Sequence, residues 1–216
     1  ASDKKALPNA EAFAKANPKN VDAQLWLTRA RLQAGKAESA VDSAEQAVKL
    51  APNNAQAQFW LGNAYGNYIG QVGMLSKMSM APKLRDAYEA TVKLDPNNLS
   101  WQSDLSTTFL RIGDVLTRQG KLSEAFEAYQ GCYAIRKSLV ERDSANSIWQ
   151  NDLSASLSKL GDALEAQGKH EEAVKIYYDS LEIRNLLAYQ NPSNAILQSG
   201  IAINPEKLGD VLMAEN

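Results

Sequence analysis

Apolar residues recur along this chain at helical spacing, in pairs of stripes divided by a polar turn. Leu25, Trp26, Leu27 and Ala30 form one stripe; Ala40, Val41, Ala44, Ala47 and Val48 form the next. Between them "QAGKAES" places Gly35 as a helix stop and supplies the turn. Pro18 and Pro52, each followed two residues later by Asn, mark points through which a helix does not continue. The pattern predicts a helix–turn–helix unit over 21–54, and "APNNAQAQFWLGNAYG" begins its second copy 34 residues later.

From about residue 98 the beat is longer. "DPNNLSWQSDL" at 95–105 returns as "DSANSIWQNDL" at 143–153 and "NPSNAILQSGI" at 191–201, in steps of 48. Gly113-Asp114, Gly161-Asp162 and Gly209-Asp210 keep the same step, as do "TRQGKLSEAFEAY" and "EAQGKHEEAVKIY". The added residues predict longer helices, roughly 20 residues and ~30 Å each, rather than a new element. Small residues at Gly62, Gly113, Gly161 and Gly209, and at Ala40, Ala125 and Ala173, let helices approach closely, with Tyr65, Tyr129 and Tyr177 as candidates to fill the gaps beside them. Cys132 falls where Ala47 falls and reads as a small core residue.

With "FWLGNAY", "FLRIGDVL", "LSKLGDAL" and "EKLGDVL" in first helices, and "SEAFEAYQGC" and "EEAVKIYYDS" in second ones, residues 8–216 resemble the tetratricopeptide repeat family. Residues 99–216 are similar to its extended, kinesin-light-chain-like bacterial variety. The resemblance implies an all-α fold, an αα-hairpin right-handed superhelix (TPR solenoid). The organisation expected is one continuous solenoid: 1–98 with an N-terminal helix and units 21–54 and 55–98, then 99–216 with two 48-residue units and a final unpaired or kinked helix.

Two stretches depart from the pattern. "GNAYGNYIGQVGMLSKMSMAP", Gly62 to Pro82, carries an insertion at about 69–80, placed at the turn, with Pro82 opening the following helix and Leu84 where Ala40 and Ala125 sit, which predicts a wider crossing there. Met74, Leu75 and Met78 share a helical face. They read as a plug over that crossing, as an adaptable contact surface, or as a thioether site suited to Cu(I). The other departure is the end, where one helix carrying Ile203, Leu208, Val211 and Leu212 lacks a partner. Asn204 and Pro205 read there as a cap and a start or kink, and an end-to-end homodimer through this helix is one way to cover it.

Composition narrows the chemistry. A net charge of −2 gives no general pull toward nucleic acid or anionic lipid, although 12 Lys/Arg face 9 Asp/Glu in 1–98 and 11 face 16 in 99–216. Arg111 and Arg118 lie two turns apart with Asp114 between them, a poor phosphate track, so no nucleic-acid partner is expected. No apolar run reaches the ~18–20 residues of a membrane span. Cys132 is the single cysteine and His170, entering a helix in "GKHEEA", the single histidine. "GNYIGQVG" lacks dinucleotide-loop spacing, and no P-loop, G-x-S-x-G or Cys/His cluster appears. No enzyme, cofactor or metal is expected. The start "ASDKKALPN", without Met, fits a mature exported (periplasmic) chain and equally a trimmed one.

What remains is a groove. In the family, first helices line the concave wall. On this chain that face carries Arg29, Gln33, Asn63, Asn67, Leu110, Asp114, Thr117, Ser158, Asp162, Glu165, Asp210 and Met213. Leu25, Arg29 and Trp60 stand where the family's chaperone-peptide clamp needs Lys or Asn, so that clamp is not expected. The candidate partner-binding residues are Arg29, Asn63, Asn67, Asp114, Asp162 and Asp210, with Met74 and Met78 on the insertion. The resulting reading is a non-catalytic protein–protein interaction scaffold binding an extended peptide, basic toward the aspartates. Its rivals are an interaction segment of a larger enzyme or signalling protein, and a self-assembling or engineered chimera of two repeat arrays.

Overall fold

The structure is a computed structural model that describes residues 6–71 and 74–190, with backbone alone over 74–78. Among the described residues there are helices and no strands. α1 spans Ala6–Ala16, α2 Val21–Gln33, α3 Ala37–Leu50, α4 Ala55–Gln71 and α5 Met74–Leu94. α6 spans Leu99–Arg118, α7 Leu122–Arg142, α8 Ser147–Ala166 and α9 His170–Gln190.

The helices begin where they do because one capping device is used four times. Asn20, Asn54, Asn98 and Asn146 each accept, through the side-chain oxygen, the backbone N–H three residues on, at 3.0, 3.0, 3.2 and 3.2 Å. Four residues after each cap stands a glutamine, Gln24, Gln58, Gln102 or Gln150. Its amide donates to the carbonyl two residues before the cap, on Pro18, Pro52, Pro96 or Ser144. The "P-x-N" marker is therefore half of a clip that folds each loop back on its helix. The hairpin turns at Gly35, Gly120 and Gly168 have φ of +71°, +72° and +76°, where a side chain is strained.

The described residues fall into two compact units that meet between Leu105 and Ser106, inside α6. In the first, α1 packs on α2, α2 on α3, α3 on α4 and α4 on α5, and α2 also meets α4. Its core is alanine-rich: Ala10, Ala14, Ala23, Leu27 and Ala30 join α1 to α2, and Leu25, Ala47 and Ala57 join α2, α3 and α4. In the second, α7 packs on α8 and α8 on α9. Ala125, Tyr129, Leu160 and Ala163 form one cluster, and Leu164, Ala173 and Tyr177 another. Cys132 is fully buried, as its alignment with Ala47 implied.

Four expectations need correction. Tyr65 does not fill the space at Gly62; Tyr88 from α5 does, as Tyr129 does at Gly113 and Tyr177 at Gly161. In each of these three hairpins the tyrosine comes from the second helix, four residues after Ala125 or Ala173 in the longer repeats and after Leu84 in α5. Tyr65 instead donates to Glu45 on α3 at 2.7 Å. Next, the insertion is no turn: α5 starts at Met74 and holds Pro82 inside it. The run "MLSKMSMA" is rich in helix formers and carries the helix past the proline's missing donor. Leu84, in place of a small residue, is accommodated by Gly66 opposite it, with a Cδ1 carbon 3.7 Å from where a Cβ there would lie. Finally, Trp26 is not a core residue; it is 39% exposed.

Candidate functional site

The first helix of each hairpin presents one stripe away from the core, and the predicted groove residues test whether that stripe is built for binding. In the first unit, α2 offers Trp26, Arg29 and Gln33, and α4 offers Trp60, Asn63 and Asn67. Arg29 lies over the Trp60 ring, 5.3 Å from its centroid, and its Nε donates to the Leu25 carbonyl at 3.3 Å. The stacked guanidinium thus bridges two successive first helices. Asn63 and Asn67 donate their amides to the carbonyls of Phe59 and Asn63, at 3.0 and 2.9 Å. Their side-chain oxygens then have no partner among the described residues. Aromatic contacts extend this surface, with Phe13 against Trp26 at 5.6 Å and Phe59 stacked on Trp101 at 5.4 Å.

In the second unit Asp114 (α6) and Asp162 (α8) line one cleft of about 220 Å³ with Thr117, Arg118, Tyr129, Lys159 and Ala163. The glycine before each aspartate is what aims it. Gly113 and Gly161 leave room for the Tyr129 and Tyr177 rings, whose hydroxyls then reach the next residue, Asp114 at 2.9 Å and Asp162 at 2.8 Å. Tyr177 also donates to Glu165 at 3.1 Å, and Tyr129 lies 3.2 Å from the Thr117 hydroxyl. Burial first, and then the carboxylate acceptors, push both phenols well above the usual tyrosine range, with Thr117 acting the other way on Tyr129. Each therefore stays a hydrogen-bond donor at any ordinary pH.

Lys159 was not foreseen in this role. It sits three residues before Asp162 on α8, and its ammonium pairs with Asp114 at 2.8 Å across to α6. The cleft accordingly holds two carboxylates and two cations, Lys159 and Arg118, rather than a purely acidic wall. Ser158, expected on the same face, is buried and lies 2.9 Å from the Ser180 hydroxyl, tying α8 to α9. Asp210 and Met213 lie outside the described residues, as do Ile203 to Leu212 and the end-to-end contact expected through them. So do the side chains of Met74 and Met78.

Among the described residues no group of three or more His, Cys, Asp and Glu side chains could hold a metal ion. No described helix is long and apolar enough to cross a membrane. His170 opens α9 with its Nδ1 buried and unpaired, and it is not among the residues that line the cleft.

Comparison with known families fits this geometry. A tetratricopeptide repeat model matches residues 4–43 and 27–65, and a second, of the kinesin-light-chain-like type, matches 105–146 and 153–187, together well over half of the chain. The chain belongs to the tetratricopeptide repeat family. No curated protein matches it in a sequence comparison. Among solved structures, a MamA protein is similar at 21% identity and a TM-score of 0.59, over 88% of this chain and 87% of that one. MamA from Desulfovibrio magneticus RS-1 is similar at 17% identity and a TM-score of 0.51, over 85% and 86%. BtubC (BKLC) from P. vanneervenii is similar at 16% identity and 0.54, over 99% and 82%. These likenesses show the fold: stacked αα-hairpins of the tetratricopeptide solenoid class. Such repeats are interaction scaffolds and are generally non-enzymatic.

Proposed function

We propose that this tetratricopeptide repeat protein is a non-catalytic scaffold that binds an extended peptide along its first helices, with the second unit's cleft receiving a basic side chain of that peptide. The observation that carries the reading is the cleft itself, where Asp114 and Asp162 converge from two different repeats. At about 220 Å³ it is smaller than the ~300–1,000 Å³ of small-molecule pockets and suits one long side chain. Lys159 already pairs with Asp114 there, which supports the reading that the cleft suits an ammonium. An incoming lysine or arginine displaces or joins it, meeting Asp162. In the first unit, the Arg29–Trp60 stack and the Asn63 and Asn67 oxygens supply a platform and acceptors for peptide backbone N–H groups. Met74 and Met78, i and i+4 on the first turns of α5, are a further contact surface on this reading.

Fluorescence anisotropy with two matched extended peptides, one bearing lysines and one glutamates at the same positions, tests the assignment. The lysine peptide binds at least tenfold tighter, and the preference weakens with salt. Asp162→Asn keeps an oxygen acceptor for Tyr177 and removes the charge, so it abolishes the preference without loss of fold. Equal affinity for both peptides, or an unchanged preference in Asp162→Asn, overturns the proposal. Met74→Ser/Met78→Ser leaves stability unchanged but lowers peptide or partner affinity; a loss of stability with unchanged affinity assigns them to the core instead.

A further inference from the structure

α7 and α9 are the same element in two copies of one repeat, 48 residues apart: Ala125 aligns with Ala173, Tyr129 with Tyr177, Arg136 with Arg184 and Leu139 with Leu187. Their buried faces match, but their solvent faces do not. Where α7 exposes or half-exposes Gln130, Ser138 and Glu141, α9 carries Tyr178, Leu186 and Tyr189, which are 55%, 50% and 86% exposed. Ser100, at the start of α6, becomes Ile148, 70% exposed at the start of α8. Repeat packing does not require these four changes, because the first copy does without them. Each leaves a large apolar side chain in water.

The three α9 residues share one helical face at i, i+8 and i+11, spanning ~16 Å. Helices α8 and α9 run antiparallel, with Gly161 facing Tyr177, Ser158 against Ser180 and Arg184 Nε 3.4 Å from Ser154 Oγ. That register puts Ile148 at the end of the hairpin where Leu186 and Tyr189 lie. Charge on this face is also new to the copy: Asp179 and Glu182 stand where α7 has Gly131 and Ala134. Neither has an ion pair among the described residues, and both are exposed. Counting Glu171 and Lys175, the face holds three carboxylates against one ammonium.

We propose that this outer face of α9 is a second docking surface, separate from the first-helix groove, and that its occupant is an amphipathic helix of a partner protein whose apolar stripe is flanked by Lys or Arg. A helix is the fitting shape, since the apolar residues form a straight stripe on a helix whose own backbone is fully bonded, leaving no edge for a strand. The carboxylates decide the sign of the partner. They repel nucleic acid and anionic lipid. A second copy related by a two-fold axis would set Asp179 and Glu182 against their own duplicates. The chain's remaining segment, 191–216, carries Glu206, Asp210 and Glu215 against Lys207 and has the wrong charge as well.

The test uses the full chain and a synthetic 18-residue amphipathic helix with a leucine stripe flanked by lysines, beside the same peptide with glutamates for the lysines. Wild type binds the lysine peptide at least tenfold more tightly than the glutamate one. Tyr178→Gln/Leu186→Ser/Tyr189→Glu, which restores the α7 residues and so keeps the repeat's fold, loses at least tenfold. Asp179→Asn/Glu182→Gln loses several-fold and flattens the salt dependence. Undiminished binding by the triple variant overturns the proposal. So does a wild-type dimer in light scattering that the triple variant abolishes, which gives the face to a second copy. Rapid proteolysis of 191–216 in the triple variant alone also overturns it, by giving the face to that segment. Because Asp114 and Asp162 are untouched, groove binding to the extended lysine peptide persists in the triple variant. Loss of both would mark a folding defect, and the Asp179→Asn/Glu182→Gln variant then decides: unchanged lysine-peptide binding overturns the proposal.

Discussion

Replacing Gly161 by alanine sets two effects against each other. In an open helix interior the change stabilises by ~1 kcal/mol, because glycine gives up more backbone freedom on folding. At Gly161 the new Cβ lands 2.4 Å from Tyr177 Cε1, 2.7 Å from Cδ1 and 2.8 Å from Cζ. Carbon atoms pack at ~3.5 Å or more, so the ring or the helix must give by ~1 Å. The ring has nowhere to go: it is fully buried, and its hydroxyl is held by Asp162 and Glu165. Overpacking costs about 1–3 kcal/mol, and drawing the hydroxyl off charged acceptors costs about 1.5–3 more. Against the propensity gain the expected net loss is about 1.5–5 kcal/mol. Urea denaturation followed by far-UV circular dichroism measures it. Gly161→Ala/Tyr177→Leu, which clears the space, should show a coupling of ~1 kcal/mol or more in the double-mutant cycle. Gly70→Ala is the control, since nothing lies within 4 Å of its Cβ, and it is expected to stabilise by up to ~1 kcal/mol. A Gly161→Ala variant as stable as wild type would refute the packing argument.

Other outcomes follow from the same geometry. Tyr129→Phe removes the donor to Asp114 and lowers stability by about 1.5–3 kcal/mol in the same assay, with peptide affinity falling as the carboxylate loses its anchor. Lys159→Met breaks a half-exposed ion pair and costs less than ~1 kcal/mol at low salt and nothing at ~1 M salt. Burial pushes the Cys132 thiol from 9.0 up to about 11, so at pH 8 it stays neutral and resists thiol reagents until the protein unfolds; rapid labelling of native protein would contradict this. The raised value means the neutral thiol is favoured in the fold, so its contribution is complete below pH 9. Relative to Cys132→Ala, about 2–3 kcal/mol is then lost as pH rises through 11. Arg136, 5% exposed, donates to the Asp152 carbonyl at 2.7 Å and to Ser106 Oγ at 3.3 Å, and Arg136→Ala costs at least ~2 kcal/mol by removing both charge-assisted hydrogen bonds and the packing of its buried stem.

Local rules written in the chain were enough for the elements and for the family. The Asn caps and the glycine turns concern neighbours within about six residues, the caps working the same way at Asn20, Asn54, Asn98 and Asn146 and the turns at Gly35, Gly120 and Gly168, and the 34- and 48-residue spacings repeat them along the chain. Even the Gln-to-carbonyl clip is legible once the four copies are laid in register. Only the tertiary structure decided which of two tyrosines faces Gly62, because Tyr65 and Tyr88 are equally aromatic and the crossing geometry of α4 and α5 chooses between them. It also turned Trp26 outward, buried Ser158 against Ser180, and brought Lys159 onto Asp114 from 45 residues away. A period records which residues share a face. What that face meets depends on how the helices pack, and in the cleft that contact sets the charge a ligand finds.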